Sequence, residues 1–186
     1  VSVLAIDTSS RSRVVCVLAS VDGELIDADV MHDAPVATSL PPMLVPLLGR
    51  VDCAVVVVTG PGTYTGVRAG MAGALGIAHA RGLPLHGVGT LEVIACADVP
   101  ASSDDWLVSD AGRGALYVAR AADAAHPERV ALALLDVAGG RVLSSDPIAI
   151  DGLIQVDPAR ALARAVPLAL SRSALEPEGL TALYVG

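Results

Sequence analysis

The stretch that most limits how this chain can fold is the apolar run Cys53 to Val58 together with the turn directly after it, Thr59-Gly60-Pro61-Gly62-Thr63-Tyr64-Thr65-Gly66-Val67-Arg68. A continuous apolar run of strand length fits a central parallel strand covered on both faces. Gly60 and Gly62 tolerate positive φ and Pro61 fixes its own φ, so the chain turns sharply there. Thr63 or Thr65 can cap the helix that comes next. A glycine turn at a helix start can hold a phosphate on free N–H groups, or its glycines can serve close packing alone. The residues leave both readings open, and the pattern is neither G-x-x-x-x-G-K-S/T nor G-x-G-x-x-G.

The helix itself, predicted from about Thr65 to Arg81 and closed by Gly82, carries Gly66, Gly70, Gly73 and Gly76. Each interior glycine costs about 1 kcal/mol relative to alanine, so something must offset roughly 3 kcal/mol. Gly66, Gly70 and Gly73 share a face, beside a stripe of Val67, Met71, Leu75 and Ala78. Another backbone can approach closely there. An internal neighbour and a second subunit both satisfy that requirement.

Ahead of this unit, Val3 to Ile6, Val14 to Ala19 and Leu25 to Val30 read as three antiparallel strands, with Asp22-Gly23 suited to a tight hairpin. Leu40, Met43, Leu44, Leu47 and Leu48 recur at helical spacing. Pro41 and Pro42 fall in the expected first turn, and Pro46 should kink the helix. Beyond it, Leu85 to Val88 reads as a strand and Gly89-Thr90 opens a helix through Ala97. The order is βββαβαβα, and the polar segment Asp98 to Asp105 is the candidate boundary. Trp106 to Ser109, Ala115 to Ala121, Val130 to Val137 and Arg141 to Leu143 look like further strands, with turns at Gly112 to Gly114 and Gly139-Gly140. Asp157 and Pro158 start a helix as N-cap and first residue, Pro167 limits it, and Leu180 to Val185 reads as a last strand.

The hydrophobic fraction is 53% with aromatics at 2% and no Phe, so the core must be close-packed aliphatic. A net charge of -8 argues against this chain alone gripping a nucleic-acid backbone, which requires Lys and Arg to neutralise phosphates. Cys16, Cys53 and Cys96 are odd in number and form no C-x-x-C, which fits buried free thiols in a reducing compartment. Val1 to Ile6 lacks a basic leader region and no apolar run approaches ~18 residues, so a cytoplasmic protein without a membrane segment is expected. His32, His79, His86 and His126 make no H-x-x-x-H pair and no cluster with carboxylates, which points away from a metal site. No G-x-S-x-G is present.

Asp7-Thr8-Ser9 comes directly after the first strand and leads into a hairpin. It is either an Asx-turn satisfying its own backbone or a relative of the turn that handles Mg-phosphate in actin, sugar kinases and heat-shock chaperones. Gly60-Pro61-Gly62-Thr63-Tyr64-Thr65-Gly66-Val67-Arg68-Ala69-Gly70 resembles the G-P-G-S/T-F/Y-T-G-V/L-R-I/V-G motif of the TsaB (YeaZ) family, which serves tRNA threonylcarbamoyladenosine synthesis. Leu4 to Ser9 and Gly87-Val88-Gly89-Thr90-Leu91 are similar to two further landmarks of that family. Asp110-Ala111-Gly112-Arg113-Gly114-Ala115-Leu116-Tyr117 resembles its D-A-R-R/M-G-E-V-Y turn, with Gly112 and Ala115 in place of Arg and Glu. The family's His-Ser-Glu before the first helix is also absent, Pro35-Val36-Ala37 standing nearby.

The resemblance implies an α/β, actin-like (ASKHA) fold of two ribonuclease-H-like lobes, residues 1–98 and a reduced 99–186. It implies no catalytic residue, no metal and no cofactor of the chain's own. It also implies binding to a catalytic TsaD-type paralogue through the first two helices of each partner. Leu40, Met43, Leu44, Leu47, Gly66, Gly70, Met71 and Gly73 are the expected interface, which also supports a homodimer. A TsaE-type ATPase completes the implied complex, ATP or ADP is a candidate at the partner interface, and tRNA is reached through the complex. Asp7, Thr8, Ser9, Gly60 and Gly62 are the candidate vestigial phosphate site. The rival readings are an ATP-dependent kinase or transferase of the same fold and a metallopeptidase.

Overall fold

β-branched runs of four to eight residues dominate the first half, and they assemble into one mixed sheet covered on both faces. The structure is a computed structural model that describes every residue except 100, 138, 177–180 and 184–186. β1 (Ser2–Asp7), β2 (Arg13–Ser20) and β3 (Leu25–His32) form a meander. α1 (Val36–Leu48), β4 (Ala54–Val58), α2 (Tyr64–Arg81), β5 (Leu85–Val88) and α3 (Thr90–Ala95) come next. The expected order βββαβαβα is present, and the sheet runs β3-β2-β1-β4-β5 with β1, β4 and β5 parallel. β4 is interior and every one of its residues is buried. Its alternation divides the core: Val55 and Val57 join Leu4 and Ile6 beneath α1 and α2, while Val56 and Val58 join Val3 and Ala5 on the opposite face.

α1 differs from expectation. It begins at Val36, so Pro41 and Pro42 lie mid-helix rather than in the first turn. The Pro35 carbonyl accepts from the N–H and Oγ of Ser39, which fixes that earlier start. Pro41, Pro42 and Pro46 are all exposed, so the carbonyls they fail to satisfy have access to water.

The second sheet is smaller, with the order β10-β9-β6-β7-β8. β6 (Trp106–Gly112) and β7 (Ala115–Arg120) form a hairpin, and β8 (Glu128–Ala131), β9 (Val142–Ser144) and β10 (Leu153–Gln155) complete it. β8 stops at Ala131 where the expected strand ran to Val137, because its partner β7 begins opposite it at Ala115 and the chain turns into a 3-10 segment. β10 was not expected from sequence, since its three residues are half-buried or exposed, whereas the equally short β9 is fully buried. The helix expected from Pro158 is two helices, α4 (Pro158–Arg164) and α5 (Val166–Leu170), with Pro167 in the first turn of the second. Asp157 caps α4 as expected, accepting from Ala159 and Arg160 N–H at 2.9 and 3.1 Å.

α4 and α5 return to the first sheet, where Ala161, Leu162, Ala165 and Val166 are fully buried against it. A division at residue 98 falls between the two sheets, and α4 and α5, beyond it in sequence, pack on the first sheet. The expected strand Leu180 to Val185 falls partly outside the described residues. Within it Leu183 donates its N–H to the Thr59 carbonyl at 2.7 Å without forming a regular strand.

Candidate functional site

Three glycines of the turn and helix are required by one neighbour, the Asp7-Thr8-Ser9 turn. A Cβ at Gly62 would collide with Ser9, at Gly66 with the Thr8 carbonyl oxygen, and at Gly70 with Thr8 Oγ1. Thr8 Oγ1 donates to the Gly66 carbonyl at 2.7 Å, and Thr63 N–H donates to the Ser9 carbonyl at 2.9 Å. Thr63 caps α2, its Oγ1 accepting from Gly66 N–H at 3.2 Å. The close approach inferred from the glycine spacing is therefore internal at Gly66 and Gly70. Gly60 has φ +105° and is pressed by the Leu183 carbonyl, not by Asp7, Thr8 or Ser9.

This arrangement leaves no open phosphate cradle at the candidate vestigial site. Asp7, Thr8, Ser9 and Gly62 do come together, but backbone and hydroxyl groups of the chain fill the approach to the start of α2. Asp7 Oδ1 accepts from the N–H and Oγ of Ser9 at 2.8 and 2.6 Å, an Asx-turn.

Of the expected interface residues, Leu40, Met43, Leu44, Leu47, Gly66, Gly70 and Met71 are buried inside the chain, and the position of a Gly73 Cβ lies against Leu40. They clamp α1 and α2 to the sheet and to each other. The outward surface of the pair belongs to other residues: Pro41, Pro42, Val45 and Pro46 on α1, and Tyr64, Thr65, Arg68, Ala72 and Gly76 on α2. Val45 is 69% and Tyr64 57% exposed, and Arg68 lies over the Tyr64 ring at 3.9 Å. A Cβ on Gly76 would meet nothing within 4 Å.

Between the two sheets lies a cleft of about 280 Å³ lined in part by Ser10, Ser12, Asp110, Leu116, Asp146 and Ile148. Asp110 accepts Gly112 N–H at 2.7 Å across the hairpin tip, where Gly112, Arg113 and Gly114 all have positive φ. A side chain on Gly112 would run into the guanidinium of Arg11, which is 3.9 Å from Asp110. Arg11 thus supplies a guanidinium beside the position where the resembling motif has an arginine. Arg13, the first residue of β2, is buried and donates to Ser145 and Asp146 just past β9. Sequence reasoning singled out none of Arg11, Arg13 and Asp146. The available signal was a lone arginine opening an otherwise apolar strand, with its partner over a hundred residues away.

Among the described residues no group of three or more His, Cys, Asp or Glu side chains is arranged to hold a metal. Cys16 is buried and Cys53 and Cys96 are half-buried, all free. Burial pushes the Cys16 thiol up to about 12, with Asp29 and Asp7 adding to the shift. Beside the glycine turn, Glu92 accepts Gly89 N–H and two donors of Arg172, and hydrogen bonding to Arg172 holds its carboxyl below the usual range.

Two five-stranded mixed sheets with helices, in this strand order, define an α/β protein of the actin-like class. The family model described as TsaD: tRNA N6-adenosine threonylcarbamoyltransferase matches residues 50–142, half of the chain, and the chain belongs to that family. Over its whole length it has the fold of YeaZ from Pseudomonas aeruginosa, with a TM-score of 0.73 at 20% identity, covering 99% of each chain. A second Pseudomonas aeruginosa structure, described as similar to peptidase YeaZ, matches with a TM-score of 0.71 at 20% identity, covering 100% of this chain and 99% of that one. An uncharacterised protein of Mycobacterium leprae is 36% identical over 137 residues, 71% of this chain and 37% of that protein. One of Mycobacterium tuberculosis H37Rv is 37% identical over 131 residues, 66% of this chain. The chain thus matches 37% and 60% of the lengths of these two relatives. No helix among the described residues is long and apolar enough to cross a membrane.

Proposed function

We propose that this chain is a non-catalytic partner subunit in the synthesis of threonylcarbamoyladenosine on tRNA, binding and activating a TsaD-type paralogue that carries the transfer. Family membership and the YeaZ-like fold support a role in that modification. The observation that carries the subunit reading is the outward face of α1 and α2. Val45 and Tyr64 stand exposed on the same pair of helices as the exposed small residues Ala72 and Gly76, while the buried leucines of α1 hold it to the core. Small side chains let a second helix pair approach closely. The same face suits a second copy, so a homodimer in isolation and a heterodimer with the paralogue compete for it. A TsaE-type ATPase, ATP or ADP at the partner interface and tRNA held by the complex belong to the same proposal.

The kinase reading has less support, since it needs an open Asp7. Here that carboxylate is engaged by Ser9 and lies 3.8 Å from Arg13.

Sedimentation velocity of the chain with and without the paralogue tests the proposal. Gly76→Arg and Val45→Glu, both at exposed positions, are expected to weaken association at least tenfold without lowering the melting temperature. Undiminished association in both variants sinks the interface. Asp7→Asn should leave most of the transfer activity of the assembled complex. Its complete loss with assembly intact would favour chemistry in this chain.

A further inference from the structure

Two carboxylates from different sheets face one buried cation, next to the cleft that Asp146 lines. Asp7 ends β1 and Asp146 lies just past β9, and the side chain of each is 6% exposed. Two buried carboxylates within reach of one guanidinium repel less with that cation between them. The guanidinium of Arg13, 3% exposed, stands there. Its Nη1 donates to Asp146 Oδ1 at 2.6 Å and to the Ser145 carbonyl at 2.7 Å, and its Nη2 donates to Ser145 Oγ at 2.7 Å and lies 3.8 Å from Asp7 Oδ2. Ser10 Oγ, from the first lobe, and Asp110 N–H, from the second, each donate to Asp146 at 2.9 Å. Both lobes therefore converge on one carboxylate.

A guanidinium is costly to bury and is retained where fixed acceptors match its planar donors. Arg13 opens a strand whose next six residues, Val14 to Ala19, are apolar and buried. No requirement of that strand calls for a charge. The partners that account for it are Ser145 and Asp146 of the second lobe and Asp7 at the end of β1.

We infer that Arg13 is a built-in cation that holds the two lobes closed. It fills the place between Asp7 and Asp146 that a divalent cation carrying a phosphate ligand would need. The closed state then requires no bound ligand, and the assignment stands whether or not the chain binds a TsaD-type paralogue.

Residue-resolved hydrogen exchange on the full chain, compared with Arg13→Gln, tests the closure. The Asp110 and Asp146 amides, which donate to Asp146 Oδ2 and Ser144 Oγ, should exchange at least tenfold faster in the variant. Val56 and Val57 in the sheet interior should keep their rates. Titration with Mn²⁺, followed by electron paramagnetic resonance, should show binding at least tenfold tighter in Arg13→Gln than in the wild type. Adding Asp7→Asn should remove that gain. Equal exchange at Asp110 and Asp146, or equal Mn²⁺ affinity in the two proteins, overturns the assignment. Should Arg13→Gln fail to fold, Arg13→Lys carries the test, because it keeps the charge but loses the paired contacts. Exchange at the same two amides should rise severalfold with Mn²⁺ still excluded, and unchanged exchange again overturns it.

Discussion

Gly66 and Gly76 sit on the same helix in opposite surroundings. A methyl group at Gly66 would strike the Thr8 carbonyl, whereas one at Gly76 would enter open space. Gly76→Ala should therefore stabilise the fold by up to about 1 kcal/mol through helix propensity. Gly66→Ala should lose about 1–3 kcal/mol net, because a backbone carbonyl cannot swing aside as a long side chain can. Chemical denaturation of the two variants checks the pair, and equal shifts would contradict the packing. The sequence already required a close neighbour for this face, but spacing on one helix carries no information about the element opposite. Thr8 lies 58 positions from Gly66, and nothing local to either points to the other. A second residue-scale expectation concerns Asp105, whose side chain is 2% exposed and which is held well below the usual carboxylate range, first by hydrogen bonding to Arg141. A depressed folded-state value adds stability that is complete above the unfolded value near ~3.9 and is lost as pH falls toward the folded one. Wild-type stability should thus decline below about pH 4, and Asp105→Asn should be less stable at pH 7 with a shallower acid decline. Parallel pH profiles in thermal unfolding would contradict this.

Among the elements, strands and caps were the most legible. The β4 run, the Gly82 C-cap at φ +62° and the Asp157 N-cap each depend on residues adjacent in sequence, so local chemistry was sufficient. α1 was misplaced at its start because three prolines obscure a helix whose buried side, Leu40, Met43, Leu44 and Leu47, is held by the sheet rather than by propensity. Packing of that stripe tolerates prolines on the wet side. An interior proline costs about 3 kcal/mol in a helix, partly offset by about 0.4–1 kcal/mol of reduced unfolded-chain entropy. Pro42→Ala is therefore expected to raise stability by about 2–2.6 kcal/mol, measured by denaturant unfolding. A loss would mean that the prolines shape the helix to fit the sheet.

At the scale of the whole molecule, the first lobe was readable as βββαβαβα because each element carries its own periodicity. The return of α4 and α5 to that lobe was hidden, since their alanine-rich faces fit either sheet. Charge was readable from composition, but its disposition needed the structure. All twelve basic residues are arginines, and Arg11, Arg13, Arg50, Arg141, Arg160, Arg164 and Arg172 already pair with carboxylates. Arg81 donates to the carbonyls of Leu48 and Val51, and Arg120 stacks on Trp106 at 3.7 Å. Binding a tRNA backbone through these nine arginines would require withdrawing them from their partners and bringing phosphates to a chain of net charge -8. Counterion release, which drives such binding, scales with the phosphates neutralised, so little driving force is left. The expectation is negligible association of the isolated chain with tRNA at physiological salt, measured by filter binding, with retention appearing only when the paralogue is added. Micromolar or tighter binding by the chain alone would overturn this reading, and would mean that arginines paired in the free protein exchange their carboxylates for phosphates on contact with RNA.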